Sequence, residues 1–352
     1  MTIADVAALA GVSPAAVSKV FNSTGSISPA TAARIREAAE KLNWTPSPAA
    51  VALRQSKTKA IGLVLNRPRA TLDLDMTDSL LLSGIETVLA PREWGLLLYL
   101  FDRASQEQVE FYRRLVTARR VDGLILANTE VGDPRFELLR SLHMPAFLIG
   151  TPWNEDPIPH VDSSPPHAGV AETVQHLLDL GHRRIAYVGG PPTLYLPLLR
   201  REAFGRSVEA AGLTPAATFT ADHSPATAAE ATRRLMAQDT PPTALVFETD
   251  TMAIGGMRQA KSMGLNIPRD LSIVGYGGTP MGEWLEPPLT TVDRHSFNRG
   301  QAAAAGMMAL LGEPIDPEDH PLRQPELVVR SSTALAPTRE GVPTLLTSSA
   351  AE

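Results

Sequence analysis

From Ala60 onward the sequence alternates between short apolar runs and amphipathic segments, and this alternation constrains the fold more than any other feature. The apolar runs are nearly continuous, as in strands that are buried on both faces of a sheet. They are Ile61–Leu65, Leu96–Phe101, Gly123–Ala127, Ala146–Ile149, Ile185–Val188, Ala244–Phe247, Ser272–Tyr276 and Thr290–Val292. Segments with a helical pattern lie between most of them, for example Gln106–Arg119 and Pro166–Leu180. The alternation predicts an α/β core of two parallel-sheet subdomains with a ligand crevice between them.

The composition excludes several classes of protein. The chain has 352 residues and no cysteine, which excludes a disulfide framework and cysteine-ligated zinc or iron–sulfur sites. Its N-terminus lacks the basic segment and apolar run of a secretory signal. No apolar stretch approaches the ~18 residues that are needed to span a bilayer. We therefore expect a soluble, cytoplasmic protein with no membrane partner.

Charge is unevenly distributed along the chain. The formal net charge is −6, from 32 Lys and Arg against 38 Asp and Glu. Seven of the basic residues and three of the acidic ones lie within residues 1–60, which leaves 25 basic and 35 acidic residues for the rest. A basic end on an otherwise acidic chain is typical of a nucleic-acid-binding segment.

The basic end of the chain contains the start signals of three short helices. These signals lie at Thr2, Ser13-Pro14 and Ser28-Pro29, where a capping hydroxyl precedes an acidic residue or a proline. The second helix is expected to end near Asn22 and the third at Leu42. Two short helices joined by a tight glycine turn and closed by a third predict a helix-turn-helix domain. The alternative is a solvated helical cap on a metabolic enzyme.

Several stretches of the sequence match the motifs of one protein family. In the N-terminal part they are Thr2–Ser13, Val17–Asn22, Leu42–Pro46, Leu53-Arg54 and Lys59–Leu63. In the core they are Gly181–Gly190, Ser272–Tyr276 and Pro288–Val292. Together they closely resemble the lactose/galactose repressor (LacI/GalR) family of transcriptional regulators. The resemblance implies a helix-turn-helix domain followed by a core like that of periplasmic sugar-binding proteins.

The resemblance also implies that the second helix reads base edges in the major groove. Pro14 and Ala15 at its start offer apolar contacts, for example to a thymine methyl group, and Lys19 can reach the acceptors of guanine. Phosphate contacts that fix the register are assigned to three polar residues of the same segment, Ser13, Ser18 and Asn22.

A third serine–proline start, Ser47-Pro48, opens a segment too short to persist as an isolated helix in water. The resemblance implies that paired hinge helices of a dimer become ordered on operator DNA. Ala50 and Leu53 would then contact the DNA, with Leu53 inserted into the minor groove as a wedge. The alternative is a flexible linker with Leu53 packed in the domain core.

The core contains no recognisable catalytic or metal-binding pattern. The phosphate-binding loop, the nucleophile elbow and the zinc-protease motif are absent, and the histidines lack metal-ligand spacing. We therefore expect no enzymatic activity, no cofactor and no metal.

The resemblance assigns a set of core positions to an effector site. They are Thr77, Asp78, Asp162, Arg200, His223, Thr249, Asp250 and Gly277. Arg200 suits a sugar hydroxyl or a carboxylate, and a solvated helix charge is its alternative. Thr249 replaces a family asparagine, and Gly277 stands where many sugar-binding members have an aspartate. These replacements favour a small polar ligand, a sugar or sugar derivative, over a simple hexose.

These observations predict a homodimeric regulator, a repressor, that reads a pseudo-palindromic operator and responds to an effector. The predicted boundaries are 1–46 for the helix-turn-helix, 47–59 for the hinge, 60–337 for the core and 338–352 for a disordered tail. Within the core, the N-subdomain takes about 60–160 and 291–322, and the C-subdomain about 161–290 and 323–337. The tail lacks leucine heptads, so a coiled-coil tetramer is not expected. The competing hypothesis is a solute-binding protein or enzyme with this core, whose helical cap does not bind DNA.

Overall fold

The computed structural model describes residues 1–21, 26–45, 57–66, 76–101, 105–154, 158–161 and 167–337. The chain forms two compact units, Met1–Lys59 and Ala60–Glu352. The first unit has a single helical core, and the second contains two sheets. The predicted tail, residues 338–352, lies outside the described residues.

Three helices form the N-terminal unit. They are α1 (Ile3–Ala10), α2 (Pro14–Phe21) and α3 (Pro29–Lys41). Thr2 and Asp5 close the predicted capping box at the start of α1, and Gly11 ends that helix in the left-handed conformation, with φ at 64°. The axes of α1 and α2 are bent by 103°, within the range of about 90–120° that is typical of a helix-turn-helix.

One fully buried side chain from each helix forms the centre of this unit: Val6, Val17 and Ile35. Phe21 and Trp44 close one side, with ring centroids 5.3 Å apart in an edge-on arrangement. The third helix ends one residue before the predicted Leu42, whose backbone N–H caps it.

The first sheet of the second unit is entirely parallel. Its strands are β1 (Ala60–Asn66), β2 (Gly95–Phe101), β3 (Gly123–Leu126), β4 (Ala146–Ile149) and β5 (His160–Val161). The helices along this part of the chain are α4 (Met76–Leu89), the short 3-10 turn Ala90–Arg92, α5 (Ser105–Thr117) and α6 (Pro134–Ser141). The spatial order is β2-β1-β3-β4-β5. In such a sheet a crevice opens at the carboxyl ends of the strands where the order reverses, here between β1 and β3.

The second sheet follows the same principle. Its strands are β6 (Ile185–Gly189), β7 (Ala217–Thr220), β8 (Ala244–Phe247), β9 (Ser272–Gly277), β10 (Thr290–Asp293) and β11 (Glu326–Val328). The helices along this part of the chain are α7 (Val170–Asp179), α8 (Tyr195–Ala210), α9 (Pro225–Met236) and α10 (Asp250–Ser262), followed by the 3-10 turn Pro280–Trp284, α11 (Ser296–Leu310) and the 3-10 turn Pro317–Asp319. The order is β11-β10-β9-β8-β6-β7, and β11 alone in this sheet runs antiparallel to its neighbour.

Every apolar run that was predicted as a strand is a strand, with ends that agree to within one residue. The prediction missed β5, β7 and β11, which all lie at an edge of their sheet. These three strands have only two to four residues and are partly solvated, so they lack the continuous apolar run on which the prediction depended.

The chain returns to the first sheet after β10. Helix α11 follows a strand of the second sheet, yet its alanines and methionines pack in the core beneath the first sheet. All of β10, up to Asp293, lies in the second sheet, so the crossover comes slightly later than the predicted change at residue 291.

Two glycines allow α4 and α11 to touch backbone to backbone. A Cβ atom on Gly84 would collide with the carbonyl oxygen of Phe297, and one on Gly300 would collide with that of Leu81. Gly84→Ala is therefore expected to lower the free energy of unfolding by about 1–3 kcal/mol, measured by urea denaturation. The matched control is Gly205→Ala in α8, where the added methyl meets no atom within 4 Å. Equal effects of the two substitutions would contradict this packing.

Among the described residues, no single helix has the length and apolar character needed to cross a membrane. The bent pair α1 and α2 meets that test only when the two helices are taken together.

Candidate functional site

The outward face of α2 carries the residues predicted to read DNA. Val17 is buried against α1 and α3, whereas Pro14, Ala15 and Lys19 are exposed and Ser18 is half-buried. Base-reading residues must reach a groove without unfolding the domain, and this arrangement allows it.

Ser13 caps the start of the same helix. Its Oγ accepts a hydrogen bond from the backbone N–H of Ala16 at 3.2 Å, and its O–H retains the capacity to donate to a phosphate oxygen. The predicted DNA contacts Asn22, Ala50 and Leu53 lie outside the described residues.

A polar cleft lies where the carboxyl ends of the strands of both sheets meet. The first sheet contributes Leu65 near the end of β1, Ala127–Thr129 after β3 and Ile149–Thr151 at and after the end of β4. The second sheet contributes Glu248 and Thr249 after β8 and Tyr276 at the end of β9. The remaining lining residues come from helices and connections: Thr77, Asp78, Leu81, Leu194, Leu196, Pro197, Arg200, His223, Arg294, Ser296 and Arg299. The centre of a water molecule can move through about 90 Å³ of this cavity. This volume is several times the ~10–15 Å³ that one water needs.

A buried ion pair forms the floor of this cleft on the side of the second sheet. Arg200 on α8 donates from Nη1 to Oε1 of Glu248 at 2.5 Å, and their side chains are 4% and 1% exposed. The hydroxyl of Tyr187 on β6 donates to the other carboxylate oxygen of Glu248. The guanidinium of Arg200 lies over the ring of Tyr276, 3.9 Å from its centroid.

The surroundings keep this cluster in defined protonation states. Burial disfavours the charged guanidinium, but the nearby oxygens of Tyr276, Glu248 and Tyr187 outweigh that effect and raise the pKa of Arg200. Burial, reinforced by the Glu248 carboxylate, raises the pKa of Tyr187 well above its ordinary value. Arg200 is therefore a cation at physiological pH, and Tyr187 is a neutral hydrogen-bond donor.

The structure brings most of the predicted effector residues together. Thr77 and Asp78 on α4, Arg200 on α8, and His223 and Thr249 in connections all line the cleft. Asp162 lies outside the described residues.

Two predicted effector residues do not line the cleft. The carboxylate of Asp250 accepts hydrogen bonds from the N–H and Oγ1 of Thr279, at 2.8 and 2.9 Å, and from Oγ1 of Thr291 at 2.5 Å. Burial, only partly offset by these bonds, raises the pKa of Asp250. Asp250 thus anchors the connection that follows β9. Gly277 lies beside it, since a Cβ atom there would be 3.1 Å from Oδ2 of Asp250 and 3.4 Å from Oγ1 of Thr77.

Sequence reasoning missed several cleft residues, above all Glu248 and Tyr276. Glu248 directly follows the apolar run Ala244–Phe247, and Tyr276 is the last residue of the apolar run Ser272–Tyr276 in the neighbouring strand. Polar residues at the carboxyl ends of parallel strands form the ligand crevice, so their position was a usable signal. Among the described residues, no group of three or more His, Cys, Asp or Glu is arranged to hold a metal ion.

Known proteins resemble this chain over nearly its whole length. Residues 2–47 match the model of bacterial regulatory proteins of the lacI family, and residues 174–333 match the periplasmic binding protein-like domain. The HTH-type transcriptional repressor PurR of Aliivibrio fischeri is 30% identical over 345 residues, covering 95% of this chain and 98% of its own.

Two solved structures extend the likeness to three dimensions. The Lac repressor dimer bound to operator and the anti-inducer ONPF has a TM-score of 0.82 at 25% identity, covering 95% of this chain and 99% of its own. The complex of the transcriptional regulator CelR with cellobiose has a TM-score of 0.70 at 25% identity, covering 94% and 99%.

These matches define a class of protein, a helix-turn-helix unit joined to a periplasmic-binding-protein-like core of parallel sheets, and they confirm the predicted fold class. The chain belongs to the lacI family of bacterial transcriptional regulators. It is a DNA-binding regulator and not an enzyme.

Proposed function

We propose that the protein is a repressor that binds a pseudo-palindromic operator as a homodimer, with its DNA affinity controlled by a small polar effector in the cleft. Because it acts on DNA, we expect it to work in the cytoplasm. The observation that carries the proposal is the cleft itself, which joins a buried cation, a buried carboxylate and residues of both sheets in one cavity. A sugar or sugar derivative suits these groups, and the related regulator CelR was solved with cellobiose.

Control of DNA affinity follows from the position of the cleft between the two sheets. A ligand that contacts both walls stabilises the arrangement of the two subdomains that it fits best. Linkage then requires that operator binding and effector binding alter each other by the same factor. We propose that the hinge around Leu53 transmits this change, through the wedge that the family resemblance implies.

A homodimer is supported by an apolar groove on the second unit. Pro225, Ala226, Ile254, Met281 and Leu285 lie along this groove, which has a volume of about 760 Å³. Met281 is 46% exposed, and the neighbouring Trp284 is 83% exposed. Large exposed apolar groups of this kind are typical of a protein–protein interface. We propose a second copy of the chain as the occupant, because the related Lac repressor was solved as a dimer on its operator.

Operator recognition is tested by selecting binding sites from random duplex DNA with the full-length protein. We expect a pseudo-palindrome whose single half-site binds far more weakly than the whole, with affinity that falls steeply as salt rises. Lys19→Ala is expected to weaken binding to the selected operator about 5- to 150-fold, the effect of losing one base contact. The control Lys41→Ala removes the same charge from a lysine that is already paired with Glu37 at 2.7 Å. Binding without sequence preference would contradict the proposed function.

A further inference from the structure

Arg135 and Arg200 of the second unit each form a buried ion pair with a carboxylate, and the two arginines differ in how their donors are used. Arg135 donates from all three of its side-chain nitrogens: Nε and Nη2 donate to Asp133, and Nη1 and Nη2 donate to the carbonyl oxygens of Ala127 and Asn128. Arg135 does not line the cleft, and its role is to hold the connection after β3 that does. An arginine whose three nitrogens all donate within the protein holds structure together and has little donor capacity left for a ligand.

Arg200 leaves one of its side-chain nitrogens without an acceptor in the described part of the chain. Its Nη1 donates to Glu248, but its buried Nε has no hydrogen-bond partner among the described residues, although the side chain is only 4% exposed. A buried donor without a partner is costly, and it is found where a ligand completes the site. Arg200 lines the cleft, so a ligand there can use its remaining donor capacity.

Glu248 has the complementary property. Each of its oxygens accepts one hydrogen bond, from Arg200 and from Tyr187, whereas a carboxylate offers about four acceptor positions. Glu248 therefore retains acceptor capacity at the wall of the cleft. Strand β8, which it follows, is the sheet neighbour of β9, which ends at Gly277. Gly277 stands where many sugar-binding members of the family have an aspartate, and it provides no carboxylate. Glu248 supplies a carboxylate acceptor one strand away from that position.

We propose that Glu248 is the specificity-determining residue of the cleft, and that together with Arg200 it selects an uncharged, hydroxyl-bearing effector such as a neutral sugar or polyol. A hydroxyl accepts from the guanidinium and donates to the carboxylate with the same oxygen. A sugar acid or sugar phosphate placed at Arg200 meets the carboxylate of Glu248, to which it cannot donate and by which it is repelled. This inference rests on the proposed effector-binding function of the cleft.

The test uses inorganic phosphate as an anionic probe of the full-length protein. Thermal stability in phosphate is compared with thermal stability in chloride at the same ionic strength. In the wild-type protein we expect no phosphate binding that depends on Arg200. Glu248→Gln keeps the size of the side chain but removes its charge, so it is expected to tighten phosphate binding at least about tenfold. The double variant Arg200→Gln/Glu248→Gln is expected to lose that gain, which separates Arg200 from the other cleft arginines, Arg294 and Arg299.

A matched control removes a carboxylate outside the cleft. Glu202 lies on α8, the helix that carries Arg200, where it is 59% exposed and pairs with Arg206. The Glu202→Gln variant is expected to bind phosphate as the wild type does. Glu248→Ala provides a second route to the same result if the glutamine variant does not fold, as judged by circular dichroism.

Equal phosphate binding by the wild type and both Glu248 variants, whether all bind or none does, overturns the proposal. Selective operator binding by the same wild-type preparation is measured in parallel and is independent of this result. Loss of operator binding would therefore reject the repressor function, while equal phosphate binding would reject only the role of Glu248.

Discussion

Replacing Arg200 with alanine is expected to lower the free energy of unfolding by about 3–5 kcal/mol, as seen when one partner of a buried ion pair is removed. The side chain of Glu248, which is 1% exposed in the wild-type protein, then lacks the guanidinium that it contacts at 2.5 Å. The hydroxyl of Tyr187 remains as its hydrogen-bond donor, but a neutral donor does not compensate a buried charge. Urea denaturation followed by circular dichroism measures the loss.

The double variant Arg200→Ala/Glu248→Ala distinguishes a charge effect from lost packing. It removes both partners, so no charge stays buried without compensation, and much of the lost stability is expected to return. Arg206→Ala on the same helix is the control for an exposed pair, with 59% of its side chain accessible, and should change stability little. If the double variant is as unstable as the sum of the two single variants, the coupling between Arg200 and Glu248 is absent.

The second large effect is a loss of stability in acid that originates at His182. This histidine is fully buried between α7 and β6. Its Nδ1 lies 2.9 Å from Oγ1 of Thr243, and its Nε2 lies 3.1 Å from the carbonyl oxygen of Ala334. Burial, with a smaller contribution from His176, lowers the pKa of His182 from 6.5 to about 4, although the bond to Ala334 opposes the shift.

The direction of the pH dependence follows from this shift. Between pH 6.5 and 4 the unfolded chain binds a proton at His182 that the folded protein excludes. The stabilising contribution is therefore complete above pH 6.5 and is lost as the pH falls towards 4. A shift of this size corresponds to about 3 kcal/mol.

Comparison of two variants isolates this contribution from that of the carboxyl groups, which also titrate in acid. Unfolding free energies are measured between pH 7 and 4 for the wild type, His182→Gln and His143→Gln, the last at an exposed histidine. His182→Gln is expected to flatten the pH dependence by about 3 kcal/mol, whatever its stability at pH 7. His143→Gln is expected to keep the wild-type slope. An unchanged slope in His182→Gln would show that another group is responsible.

The sequence determined the elements whose signals are local. The capping box at Thr2 and Asp5 and the glycine at position 11 set the bounds of α1, because hydrogen bonds within a few residues decide where a helix begins and ends. Strands buried on both faces, such as Ala244–Phe247, were predictable because full burial requires a continuous apolar run. The family motifs assigned Thr77, Arg200 and Thr249 to the effector site, and these three residues line the cleft.

Only the tertiary structure decided how the charged groups of the core are paired. Arg200 and Glu248 are 48 residues apart in sequence, and Asp250 and Thr291 are 41 apart. In the sequence, Asp250 matched an effector position and Glu248 did not, yet folding turns Asp250 towards threonines and places Glu248 in the cleft wall. The physical reason is that burial selects a partner for each charge from whatever the strand order brings near, and strand order is a long-range property that no local pattern encodes.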